Sequence, residues 1–295
     1  KQVYHSQRSV TLRSIKNIGR FCKNDHNGFI INDASLDKID TRFFELIEKV
    51  IDTYRHQLGS DLHSVYIRGS IPRGLGIPEV SDLDTLCVTN KALKDLDLDW
   101  VNNAEQKLNK DSSCINGVEM SFFNLDDICN TKRFSIIPFM IKTHSVCVYG
   151  EDLRNQLPAF KADAALANEH IINLESNFVQ AKEDLRGNED KEDILDCCVW
   201  IMKIIIRAGL ALVMEKEKQY TRDLYPAYEA FSRYYPEKKE KMLQALEYAI
   251  NPIENTDELI FYLNDMGKWM IETSEEWLLL HNPHKERNGD LKRND

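Results

Sequence analysis

Two carboxylates one residue apart, Asp82 and Asp84, follow the pair Gly69-Ser70 after a spacer of eleven residues. The runs beside them, Val65-Tyr66-Ile67 and Leu86-Cys87-Val88, are apolar and partly β-branched, as strands require. Side chains alternate along a strand, so Asp82 and Asp84 share a face. Two like charges there repel each other unless a divalent cation lies between them. Mg2+ takes one or two carboxylates and completes its octahedron with water and substrate phosphates. Gly-Ser supplies what phosphates need: close backbone approach, N–H donors and a hydroxyl. Together these features point to metal-assisted chemistry on a nucleoside triphosphate.

Gly69-Ser70, the spacer and Asp82-Leu83-Asp84 resemble the signature of the DNA polymerase β-like nucleotidyltransferase superfamily, and within it the bacterial aminoglycoside-type adenylyltransferases. The segment Thr143 to Leu153, with its Tyr-Gly-x-Asp-Leu turn, is similar to the strand that leaves the catalytic domain of those enzymes. The resemblance implies an α+β catalytic domain with a mixed sheet, followed by an all-helical domain. It also implies two Mg2+ ions and a triphosphate, ATP before others, as co-substrate. Two ions about 3.5–4 Å apart clamp the attacking and leaving oxygens of such a displacement. Glu119, in the extended run Val118 to Phe123, stands where the family places a carboxylate that ligates the second metal or acts as general base. The expected metal set is therefore Asp82, Asp84 and Glu119, with an ordinary outward strand residue as the other reading of Glu119.

Arg73 lies three residues beyond Ser70, within reach of a phosphate oxygen, while Arg68 is either packed or surface-paired. In the apolar run from Ile194 to Glu217, Lys203 and Arg207 stand four residues apart on one helix face. Cations in such a helix call for a counter-charge, and a triphosphate docked across a domain cleft would supply it. They also have a plainer reading, in which they snorkel to solvent or pair with neighbouring helices. Tyr220 and Arg222 follow in a Tyr-Thr-Arg turn that the related enzymes place near the β- and γ-phosphates.

Helical spacing covers residues 8 to 23 and 36 to 58, the second capped by Ser35 or Asp33. Strands are expected at 62–68, 82–89, 115–123 and 145–149, with a helix at 91–109. Pro138 argues against an unbroken helix between 132 and 143. After Phe160 strand signals stop, and helices are expected at 161–185, 190–217, 222–234, 237–250 and 256–280. This gives a catalytic domain over 1–155 with N-terminal helices padding the sheet, a helical bundle over 156–283 and a disordered tail over 284–295.

With 42% hydrophobic and 29% charged residues, the 295-residue chain has the composition of a globular protein with ample core. No apolar run is expected to span a bilayer, and no membrane partner is expected. Seven cysteines without a C-x-x-C pair, and an N-terminus lacking a signal peptide's apolar core, suit a cytoplasmic protein. A net charge of −10 with no basic stripe disfavours a long nucleic acid and favours a compact, cationic acceptor. The resemblance implies as acceptor a hydroxyl of a small molecule such as an aminoglycoside-like antibiotic. Three alternatives share the motif: transfer to a tRNA or protein, synthesis of a nucleotide second messenger, and an inactive nucleotide-binding module. Acceptor identity, the choice of nucleotide and oligomeric state have no signature in the sequence.

Overall fold

The computed structural model describes residues 13–132 and 134–286. They divide into two compact units. One holds Cys22–Glu169 with Lys218–Tyr220, the other His170–Glu217 with Thr221–Lys285 and residues 13–21. The architecture is α+β: a mixed four-stranded sheet with flanking helices, then a helical region. The division falls at Glu169/His170, later than the expected boundary at 155. Most of the expected tail lies outside the described residues.

In the first unit the strands are β1 (Leu62–Arg68), β2 (Leu83–Thr89), β3 (Val118–Asn124) and β4 (Ser145–Gly150), in the order β3-β2-β1-β4. β1 is antiparallel to both neighbours, and β2 and β3 are parallel. A parallel pair needs a crossover, here α2 (Val101–Asp111), preceded in the chain by α1 (Phe44–Leu58). Val65, Ile67, Leu83, Cys87, Val118 and Met120 pack under α1 and α2 on one face of the sheet. On the other face Tyr66, Leu86 and Val88 meet α3 (Leu125–Cys129), α4 (Ile136–His144) and residues 153–157. Pro138 sits in the first turn of α4, where a missing N–H removes no intrahelical bond, so the helix forms despite it.

The second unit contains α5 in part (Ala164–Ile171), α6 (Leu174–Leu185), α7 (Lys191–Glu217), α8 (Leu224–Tyr234), α9 (Lys239–Ile250) and α10 (Thr256–His281). α7 is the axis on which α6, α8, α9 and α10 pack. By length and composition alone it is apolar enough to cross a membrane, contrary to the expectation from the sequence, yet 67% of its most apolar stretch is buried in the protein.

Two local expectations are corrected. Residues 13–23 form no helix; the remainder of that expected helix lies outside the described residues. Arg13 instead exchanges two hydrogen bonds with Asn251, and Asp223 accepts from the Arg20 N–H while Thr221 donates to the Arg20 carbonyl. Gly19 has φ +104°, and a Cβ there would lie 2.3 Å from that of Asp223. The segment thus runs along the helical unit and does not pad the sheet. The start of α1 is also different: Asp40 accepts from the Arg42 N–H in a tight turn before it, while Asp33 is engaged elsewhere.

The sheet is pinned to α1 by one buried polar chain. Thr85 donates to the Glu119 carbonyl at 2.8 Å, so its hydroxyl accepts from Tyr54, 2.6 Å away. We expect Tyr54→Phe to lower unfolding stability by roughly 0.5–1.5 kcal/mol, the net worth of a neutral hydrogen bond, as read by urea denaturation.

Candidate functional site

The strand register sets Arg68 opposite Asp84, and Asp84 opposite Glu119. Alternation places all three on the face of Tyr66 and Leu86, at the end of the sheet where β1 leaves and β2 enters. The Arg68 guanidinium reaches over both carboxylates. Its Nη2 lies 3.2 Å from Glu119 Oε1 and 3.5 Å from Asp84 Oδ1. Ser121 adds a hydrogen bond to the same Glu119 oxygen at 3.1 Å.

Gly69 follows Arg68 with φ +87°, a conformation that favours glycine. A Cβ there would stand 2.5 Å from Asp84 Oδ2, so the carboxylate occupies the space that a side chain would take. Ser70 donates to Ser81 at 3.2 Å, and Ser81 accepts from the Ile77 N–H at 2.9 Å. These bonds close the loop that carries the chain from β1 to β2. Arg73 holds the same loop from inside: it is 5% exposed and its Nε donates to Asp33 at 3.1 Å. The structure therefore ties Arg73, expected to reach a phosphate oxygen, to Asp33 as an anchor of the loop.

The expected metal ligands are only partly gathered. Among the described residues no three His, Cys, Asp or Glu side chains form a group that could hold a cation. Asp84 and Glu119 abut, while exposed Asp82 accepts from the Asn116 side chain at 3.0 Å. In kind the donors suit Mg2+: all are oxygens, and the glycine cradle gives Asp84 room. Three carboxylates against one guanidinium leave two formal negative charges, which one divalent cation balances.

Burial pushes the Asp84 carboxyl up to about 6; Arg68 opposes the shift, and Glu119 and Asp82 add to it. For Glu119 burial also acts upward, but hydrogen bonds from Asp84 and Ser121 and the charge of Arg68 outweigh it, and the net shift is downward. Of the two acids, Asp84 is thus the one whose protonated form the site favours, and Glu119 the one whose charge it favours. Neighbouring carboxylates relieve their repulsion in this way.

Of the other expected site residues, Tyr220 belongs to the first unit and Lys203, Arg207 and Arg222 to the helical unit. Tyr220 is buried in the first unit, edge-on to Phe139 and His144 with ring centres 5.2 and 5.6 Å away, which makes it a packing residue. Lys203, Arg207 and Arg222 belong to the helical unit and are half-buried. Within it, burial and then Arg222 and Arg207 push His170 down to about 3, so both arginines bear on one neutral imidazole. The residues that sequence reasoning missed are Arg68, Asp33 and Asn116. For Arg68 the available signal was its even spacing from Tyr66, which assigns it to the Asp84 face once the two strands pair.

No family model and no curated protein matches the chain. Among solved structures it is similar to a spectinomycin adenyltransferase from Enterococcus faecialis, determined with ATP and spectinomycin. The identity is 20% and the TM-score 0.42, over 76% of this chain and 99% of that one.

A raised Asp84 value has a consequence for stability. The folded chain holds this proton more tightly than the unfolded chain, whose value is the ordinary 3.8. That stabilisation is fully present below pH 3.8 and is lost as pH rises through about 6. Glu119, shifted downward, acts in the opposite sense, so the net loss stays below roughly 3 kcal/mol. We expect the melting temperature of metal-free protein to fall between pH 4 and 7 relative to Asp84→Asn, measured by scanning calorimetry. An identical pH dependence in the two proteins would contradict the assignment.

Proposed function

We propose that the chain is a divalent-cation-dependent nucleotidyltransferase. It would move a nucleoside monophosphate, AMP from ATP as the first candidate, to a hydroxyl of a small molecule such as an aminoglycoside-like antibiotic. The observation that carries this reading is the Arg68–Asp84–Glu119 row beside the Gly69-Ser70 turn. Its support is chemical: a sheet that abuts two carboxylates, with a third two residues before Asp84 at the entry to β2, has little use for them without a cation.

In the reaction an acceptor oxygen forms a bond to the α-phosphorus, the bond to the β-phosphate bridging oxygen breaks, and pyrophosphate leaves. Mg2+ held by Asp82, Asp84 and Glu119 would neutralise charge on the triphosphate and the leaving pyrophosphate. In this reading Ser70 and the backbone around Gly69 would meet phosphate oxygens. The hydrogen bonds on Glu119, and its downward shift, favour a metal-ligand role over that of a general base, since a base works best with a value near the operating pH. The acceptor proton then leaves to solvent as the ester forms. The acidity of the chain, at net −10, supports a cationic acceptor. Its seven free cysteines lead us to place it in a reducing cytoplasm.

The test is pyrophosphate release from each nucleoside triphosphate with Mg2+, in the presence of aminoglycosides, of tRNA or of neither. We expect release that depends on ATP and on a small cationic acceptor, and its loss by at least roughly 10³-fold in Asp84→Asn. Nucleotide binding without release under every condition would instead identify an inactive binding module. A second measurement separates the roles of Glu119. As a metal ligand its replacement by Gln should weaken nucleotide affinity and Mg2+ dependence together, whereas as a base it should slow turnover by about 10²–10⁴-fold at unchanged nucleotide affinity.

A further inference from the structure

Arg68 is the one cation in direct contact with the carboxylate pair among the described residues. Glu119 is two strands away, so the side chain spans two inter-strand spacings of roughly 4.8 Å each to reach it. That path takes the guanidinium across the face of Asp84, with one nitrogen within 3.5 Å of both acids. The side chain is only 19% exposed and its charge is permanent, because a guanidinium does not lose its proton in proteins. A dication brought to these oxygens therefore meets a fixed positive charge and donors already engaged on Glu119 Oε1.

We propose that Arg68 acts as a positioning residue that stands in for the cation and makes divalent-metal binding depend on the triphosphate. Without nucleotide, Arg68 offsets the carboxylate charge and competes for the lone pairs a metal would use. When a triphosphate enters, its negative charge offsets the added dication, and its oxygens offer Arg68 an alternative acceptor with matching geometry. The metal then enters with its substrate and not before it. This inference rests on the nucleotidyltransferase reading of the same site.

The experiment measures Mn2+ binding by electron paramagnetic resonance, with and without ATP, on the full chain and on three variants. Wild type is expected to bind Mn2+ weakly alone and more tightly with ATP. Arg68→Gln should bind Mn2+ without nucleotide roughly tenfold tighter or more, and the enhancement by ATP should shrink by a comparable factor. Arg68→Lys, which keeps the charge, should resemble wild type. If Arg68→Gln fails to fold, Arg68→Met, which preserves the stem's packing, carries the same expectation. Unchanged or weaker nucleotide-free binding on removal of the charge overturns the proposal, as does a lysine variant that behaves like the glutamine one. Asp84→Asn separates the two readings: if wild type with ATP binds no more Mn2+ than this variant does, the metal site itself is absent and both fail.

Discussion

Like-charge crowding at one end of the sheet is the constraint around which the first unit is arranged. The parallel register of β2 and β3 sets Asp84 directly against Glu119, where the two acids are neighbours at strand spacing. Partial burial denies them the screening that would make the pair harmless in water. Three features answer the repulsion: the upward shift that favours a proton on Asp84, the Arg68 guanidinium across the pair, and a hydroxyl from Ser121. None is needed by the fold as such, because an apolar pair at this row would pack without any of them. The arrangement holds negative charge in place at some expense, which is what a cation-binding site requires.

The rest of the unit fixes the geometry of that row. Tyr54 reaches from α1 through Thr85 to the Glu119 carbonyl, tying the helix beneath the sheet to the strand above which the site opens. On the loop side, buried Arg73 and Asp33 link the turn after Gly69 to the segment before α1. Lys38 joins the same Asp33 at 3.1 Å, so the carboxylate is shared by two cations. The loop is therefore held both by its own Ser70–Ser81–Ile77 bonds and by a partner outside it.

Local signals in the sequence reached the strands, the Gly-Ser turn and the shared face of the even-numbered residues in β2, because alternation and turn chemistry act over a few residues. They also reached the helices from α6 onward, whose apolar periodicity matches their packing. What they missed depends on partners distant in the chain. Arg68 acquires its role only when β1 lies antiparallel to β2, and Arg73 only when Asp33, forty positions earlier, comes beside it. Residues 13–23 have helical spacing, yet they form no helix, and the side chains of Asn251, Asp223 and Thr221 bond the backbone of Arg13 and Arg20 instead. Tyr220, named as a site residue by the resemblance, packs edge-on against Phe139 and His144, partners that no local signal could supply.

The glycine of the motif takes on a different meaning once the carboxylate is seen beside it. From sequence, Gly69 is explained by close approach of a phosphate to the backbone. The structure adds a demand that holds before any ligand arrives, since the space of its missing Cβ is filled by Asp84 Oδ2. Gly-Ser and Asp-x-Asp are then one steric unit: the turn must be bare for the acid to sit against it, and the acid sits there because antiparallel pairing sets Arg68 opposite it. A side chain at position 69 would face two penalties together, the positive φ and the collision with the carboxylate. Spacing between the two motifs can vary with the loop, but the contact between them cannot. That contact, more than either motif alone, is the physical content of the pattern in this chain.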